Sequence, residues 1–285
     1  MSRLRVAFIP SASTPNSYLG LVAKGLGGQA NVLPNAKWFW PRRGDVLHVH
    51  WPEHHFVQRH PVTRIRAWLS LIRLKLLVGL VRLRGGALVW TAHNLAPHDQ
   101  LIPPDLRRYR RFMDWFLPRV DMAIAMSSGQ LPQLLKQFPA VPAERWRIAA
   151  HPTYEFPPPA PRQATRARFA VPANARLVVM VGLVRRYKGI PKAIAAFLNT
   201  AGPRDFLVIA GKCRRADLSE EIRQAIGGSK QLQFINTRLT DAEIGSLLNA
   251  ADLALYNFTA ILNSGSVMAA LSARCRVLAP AYATF

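Results

Sequence analysis

Three short stretches in the second half of the chain carry residue types suited to holding phosphate: GLVRRYKG at 182–189, GKCRR at 211–215 and NSGS at 263–266. Each follows an apolar β-branched run or precedes a helical one. Their small residues let a phosphate approach backbone N–H groups near a helix start. Arg185, Lys188 and Lys212 add positive charge, Ser264 and Ser266 add hydroxyls, Asn263 adds an amide, and Gly265 leaves room. One such loop is ordinary turn chemistry, but three at matching places in strand–helix units point to a diphosphate site.

The first half offers a different chemistry. DVLHVHW at 45–51 reads as a strand whose period of two puts His48 and His50 on one face, followed by PEHH with Glu53. ALVWTAHN at 87–94 reads as another strand, followed by LAPHD, so His93, Asn94, His98 and Asp99 gather at the same sheet edge as His50 and Glu53. Open parallel α/β sheets bind ligands outside the carboxyl ends of their strands. His50, Glu53, His93, Asn94, His98 and Asp99 are therefore the candidate site residues of this half. Histidines at 48, 50, 54, 55 and 60 invite a metal reading, but no carboxylate or cysteine set completes it and no metal is assigned. Two cysteines in separate elements, Cys213 and Cys275, give no disulfide framework.

Strands at 5–10, 45–51, 87–94, 121–127 and 146–151 alternate with helical segments at 18–26, 63–84, 104–116 and 129–138. The same alternation resumes from 177 to 279. Such alternation implies two Rossmann-like doubly wound α/β domains facing each other across a cleft. The expected division is a domain at 1–152, a hinge at 153–172 rich in proline, and a second domain at 173–285.

The chain carries 38 Lys and Arg against 15 Asp and Glu, a net charge of +23, and both halves are basic. That field favours anionic partners: nucleotide phosphates, nucleic acid or anionic lipid. Segment 63–84 sharpens the choice. At about 100° per residue, Arg64, Lys75 and Arg82 fall on one side and Arg66, Arg73 and Arg84 on the opposite one, with apolar residues between. Arg73 and Lys75 at its middle argue against a membrane span, and the readings left are packing on the sheet or lying on a bilayer surface. The amino terminus has an apolar core too short for a secretory signal, which makes the cytoplasm the default location.

GLVRRYKGIPKAIAAF, VIAGK, LTDAEIGSLLNAADLALYNF and NSGSVMAALSARCRVLAP together resemble the donor domain of GT-B nucleotide-sugar glycosyltransferases. HVHWPE, TAHN-LAPHD and IAAHPTY in the amino half resemble the xanthan-type β-mannosyltransferases of bacterial exopolysaccharide assembly. The resemblance implies a hexosyltransferase using a GDP- or UDP-linked sugar as substrate with no cofactor, and a lipid-linked or saccharide acceptor. It places the chain in the cytoplasm, peripheral on the inner membrane face, with no nucleic-acid partner. Arg185 and Lys188 fall where the family grips the donor pyrophosphate, NSGS where a helix start meets the donor, and His93 at a strand-end histidine near the transferred sugar or acceptor.

Two departures stand out. The acids of the E-x7-E pattern of retaining relatives correspond here to Asn263 and Leu271, which leaves an inverting displacement as the expectation. The resemblance implies that side chains and a helix terminus, not a metal, neutralise the leaving diphosphate, that Asp99, Glu53 or His93 serves as base, and that His50, Asn94 and His98 lie on the acceptor side. Relatives also continue past the strand matching RVLAP, whereas this sequence stops at Phe285, so a short carboxyl end is expected. The rival readings are a non-catalytic GT-B-like sugar-nucleotide-binding subunit and a basic nucleic-acid binder. The second has no recognisable binding motif to support it.

Overall fold

The computed structural model describes residues 3–11, 17–33, 39–56, 61–97, 103–259 and 261–281. They form two compact units, with the chain passing from one to the other after Pro152.

The first unit is a six-stranded, wholly parallel sheet of β1 (Leu4–Ile9), β2 (Ala30–Leu33), β3 (Val46–Val49), β4 (Ala87–Thr91), β5 (Met122–Ala125) and β6 (Trp146–Ile148). Its helices are α1 (Ser17–Leu26), α2 (Pro61–Leu83), α3 (Pro103–Phe116) and α4 (Leu131–Gln137). Parallel strands buried on both faces need continuous apolar runs, and β1 shows one in Val6, Ala7 and Phe8. The spatial order β2-β1-β3-β4-β5-β6 reverses direction between β1 and β3. A doubly wound sheet opens its ligand crevice at such a reversal, and the residue just past β3 there is His50, whose N–H donates to Ile9 O at 2.8 Å.

In the second unit α5 (Arg162–Arg168) precedes β7 (Arg176–Val181), α6 (Ile190–Thr200), β8 (Asp205–Ala210), α7 (Ala216–Ile226) and β9 (Leu232–Ile235). After these come α8 (Asp241–Ala250), β10 (Leu253–Leu255), α9 (Gly265–Ser272) and β11 (Val277–Leu278). The sheet order β11-β10-β7-β8-β9 reverses between β7 and β10. Strand β8 shows how the core is divided. Phe206, Val208 and Ala210 pack on one face with Leu247, Leu248 and Val267, while Leu207 and Ile209 pack on the other with Ile194 and Ile222.

Two features depart from the sequence reading. Strand β2 was not anticipated, because ANVL is a short edge strand with little period to read. Segment 153–172, expected as a hinge, is built into the second unit. Phe169 and Val171 belong to its core and Phe156 packs against it. Arg166, 6% exposed, donates to Asp252 Oδ2 at 2.9 Å and to Ala175 O at 2.8 Å. Its prolines limit regular structure, but its aromatic and arginine side chains still anchor it.

Candidate active site

Beyond β7 the chain turns at Gly182, whose φ is +108°. A Cβ there would lie 2.6 Å from Ser266 Oγ and 3.2 Å from Lys188 Nζ, so only glycine leaves these two side chains in place. The neighbouring loop is as tight: Gly211 packs on Gly182 so closely that a Cβ would sit 2.0 Å from Gly182 O. Val184 N–H donates to Lys212 O at 3.1 Å, which ties the two loops together. After a single 3-10 turn, Gly189 opens α6, and Asn257 from the end of β10 donates to Gly189 O at 3.1 Å.

Within this frame Lys188 is buried, and its ammonium donates to Ser266 Oγ at 3.1 Å. Ser266 lies in the first turn of α9, where Ser264 caps the helix by accepting Val267 N–H at 3.2 Å. Burial, reinforced by the positive Arg185, pulls the Lys188 pKa down to about 7. No carboxylate among the described residues offsets it. The loop's two arginines divide in role. Arg186 is held by Asp217 and Glu221, each at 2.9 Å, while Arg185 lies beside Lys188 with its field on that ammonium. Lys212 is exposed and joins the site through its backbone, and Asn263 is half-buried one residue before the helix cap. Gly182, Lys188, Ser264, Gly265 and Ser266 are thus drawn together by contacts.

Sequence reasoning missed one neighbour. A Cβ on Gly265 would meet Tyr154 Oη at 2.8 Å, so the tyrosine hydroxyl lies against the start of α9. Its backbone N–H is fixed by Ser272 Oγ at 2.9 Å. Nothing in its proline-rich surroundings gives a period by which to find it.

The first unit gathers histidines at the carboxyl ends of β3 and β4. His48 Nε2 pairs with Thr91 Oγ1 at 2.8 Å, and His50 Nδ1 pairs with His93 Nε2 at 3.1 Å. Trp51 stacks on His93 with centroids 4.1 Å apart, and Tyr18 stands edge-on to His50 and His93. Burial pushes His48 down to about 3 and His50 well below the usual histidine range, so these rings are neutral at physiological pH. Among the described residues no group of three or more His, Cys, Asp or Glu is placed to hold a metal ion.

Glu53 is the acid of this edge. It lies buried in the 3-10 turn Pro52–His55 and accepts from Asn94 Nδ2 at 2.8 Å. Burial lifts its pKa to about 6, opposed by hydrogen bonds that include the one from Asn94. A carboxylate with that pKa is suited to accept a hydroxyl proton near neutral pH. Glu53, His50, His93 and Asn94 therefore cluster as expected from spacing, whereas Asp99 and His98 lie outside the described residues. The edge holds neutral donors and acceptors and one basic carboxylate; the end of β7 holds cations, hydroxyls and a helix start.

A separate cavity of about 630 Å³ runs beside α6 and over β10, lined by Phe197, Ala193, Leu253 and Leu255. It is mainly apolar and takes no part in either cluster.

Two parallel, doubly wound α/β units in one chain make the GT-B fold of nucleotide-sugar glycosyltransferases. Comparisons with known proteins agree. A crystal structure of Anabaena HepE in complex with UDP-glucose aligns with a TM-score of 0.68 at 15% identity, covering 97% of this chain and 80% of that one. A trehalose-6-phosphate structure from E. coli bound with UDP-2-fluoro glucose aligns with a TM-score of 0.64 at 12% identity, covering 99% and 85%. In sequence, the chain is 25% identical over 240 residues to the GDP-mannose:glycolipid 4-beta-D-mannosyltransferase of Xanthomonas campestris pv. campestris, covering 84% of this chain and 62% of that enzyme. It is 26% identical over 175 residues to the alpha-maltose-1-phosphate synthase of Mycolicibacterium smegmatis, covering 57% and 45%. The chain thus spans less than two thirds of the length of these curated relatives. No family model matches it.

Proposed function

We propose that this chain is a hexosyltransferase that moves a sugar, with mannose the first candidate, from a GDP- or UDP-linked donor to a glycolipid or saccharide acceptor in polysaccharide synthesis. The observation that carries the reading is Lys188: a buried ammonium bonded to Ser266 Oγ at 3.1 Å, beneath a glycine turn and at a helix start, with no acid among the described residues to balance it. Burying an uncompensated cation is costly, and an anion bound there would supply the missing charge.

In this reading the donor diphosphate lies against Lys188, Arg185 and the start of α9. The acceptor hydroxyl gives its proton to Glu53, and its oxygen bonds to the anomeric carbon as the bond to the diphosphate breaks, with inversion. Lys188 and Arg185 receive the negative charge that the departing diphosphate gathers, a role side chains here fill in place of a metal or cofactor. His93, held by His50, orients the sugar or acceptor through a hydrogen bond. The setting is the cytoplasm, at the membrane face where a glycolipid acceptor is met. Support comes from the likeness to a glycolipid mannosyltransferase and to UDP-sugar complexes. Asn263, standing where retaining relatives carry an acid, favours inversion; it also motivates a second reading, a subunit that binds nucleotide sugar without turnover.

The test is release of GDP or UDP from GDP-mannose and UDP-glucose, with and without glycolipid and oligosaccharide acceptors. Transfer that falls in Lys188→Ala supports the enzyme. Tight binding with no turnover favours the second reading, and neither transfer nor any change in nucleotide affinity in Lys188→Ala overturns both.

A further inference from the structure

Helix α2 is apolar on two opposite faces, and the sheet uses only one. Ala67, Leu74, Leu77, Val78 and Val81 are buried against the unit. Ile65, Trp68, Leu69, Leu76 and Leu83 point the other way, exposed by 54% to 86%, and account for five of the thirteen exposed large apolar residues among those described. Their spacing of three, four and seven residues makes one continuous outward stripe, with half-buried Ile72 and Leu80 on the same line. Trp40 extends it at the far end, 63% exposed and 4.9 Å beneath the Arg84 guanidinium. An apolar stripe of this length on a soluble face needs an occupant.

The charges around it say which. Arg66, Arg73 and Arg84 run along one flank of the stripe and Lys75 and Arg82 along the other, with Arg82 paired to Asp121 at 3.0 Å, and α2 itself contains no acidic residue. Beside α2 a cavity of about 230 Å³ opens toward α3, lined by Trp68, Lys75, Arg108, Arg111 and Phe112, with Asp105 as its one acid, 3.8 Å from Arg108. Two positive rims repel a second copy of the same face, and with Trp68 and Trp40 far apart among aliphatic residues the stripe offers nucleic-acid bases no run of stacking platforms. No helix among the described residues is long and apolar enough to cross a membrane. Apolar residues rimmed by cations, with tryptophan at the margin, suit the boundary between lipid headgroups and acyl chains.

We propose that the outward face of α2, together with the cavity it shares with α3, docks on an anionic lipid bilayer. Trp68, Leu69 and Leu76 enter the acyl boundary, and Lys75, Arg108 and Arg111 receive headgroup phosphates. This surface deepens the membrane-face setting of the proposed function, on which it rests, and is tested without nucleotide sugar or turnover, so that its failure is separable from failure of the transferase reading.

The experiment is co-sedimentation of the full chain with phosphatidylcholine vesicles, pure or about one third phosphatidylglycerol. Wild type is expected to pellet with the anionic vesicles and much less with the neutral ones. Leu69→Gln with Leu76→Gln removes two exposed apolar groups without changing charge, and partitioning is expected to fall at least about tenfold. Arg108→Gln with Arg111→Gln is expected to fall by about tenfold or more on anionic vesicles only. Circular dichroism and thermal melting confirm that each variant is folded. Three results overturn the proposal: wild type that stays in the supernatant, a Leu69/Leu76 variant that binds as wild type does, or a wild-type dimer that this variant turns into a monomer in light scattering without vesicle binding.

Discussion

At the carboxyl ends of β3 and β4, burial makes ionisable groups neutral or weakly acidic: His48 and His50 lose their proton, and Glu53 holds its own up to about pH 6. Beyond β7, burial is set against a cation, and Lys188 titrates at about 7. Desolvation acts alike at both places, disfavouring charge. The difference lies in what each site lacks. The histidine edge pairs most of its groups internally, through His50–His93, His48–Thr91 and Glu53–Asn94, and leaves His50 Nε2 as a buried but uncharged nitrogen with no partner among the described residues. The lysine turn has no counter-charge among the described residues. A site of paired, mostly neutral groups is suited to position a partner and accept a proton; a buried cation without a counter-charge is suited to an anion.

The contrast is sharpest in Glu53→Gln. Losing the base is expected to lower transfer by roughly 10²- to 10⁴-fold while leaving nucleotide affinity unchanged. An equal fall in affinity, measured by titration calorimetry, would break the division of labour between the two ends.

Gly211→Ala attacks the other side. Its Cβ would lie 2.0 Å from Gly182 O, with φ at +155°, so the two donor-side loops must separate. A cost on the order of 3 kcal/mol or more is expected, confined to the second unit, with hydrogen exchange accelerating in β7 and β8 but not in β1 or β3.

The pH dependence follows from Glu53. Its folded pKa of about 6 exceeds the model-peptide carboxylate value, so the folded state is favoured below that ordinary value and loses stability as pH rises through 6. The loss is about 2 kcal/mol at most, and it should vanish in Glu53→Gln when melting is followed against pH. Transfer should rise over the same interval as the base loses its proton.

The smallest effect belongs to Arg186→Gln. Because Arg186 meets Asp217 and Glu221 in open solvent, where such pairs are screened, the melting temperature should barely move. Nucleotide affinity should stay as it was, which separates Arg186 from its neighbour Arg185.

Much of this was legible from spacing. The runs ending at Val49, Thr91 and Val181 announce buried parallel strands, and the doubly wound pattern then fixes which loops share an edge. The period of two along HVH placed His48 and His50 on one face, and their ring centroids are 4.1 Å apart. What spacing could not show was pairing across long sequence separations. It gave no way to tell that Arg186 would be taken up by acids on α7, that Tyr154 would reach Gly265, or that segment 153–172 would be held through Arg166 and Asp252. For α2, the sequence displays two apolar faces between two basic ones; only the fold decides which is buried.

The central claim is that Lys188 awaits a diphosphate, and calorimetric titration of GDP and UDP into wild type and Lys188→Met tests it directly. A bound diphosphate should raise the lysine pKa from about 7, so wild type should take up a proton near pH 8, seen as heat that depends on the buffer. Lys188→Met should lose that uptake and bind at least about tenfold more weakly. Equal affinity in the two proteins, with no proton taken up by wild type, would contradict the account.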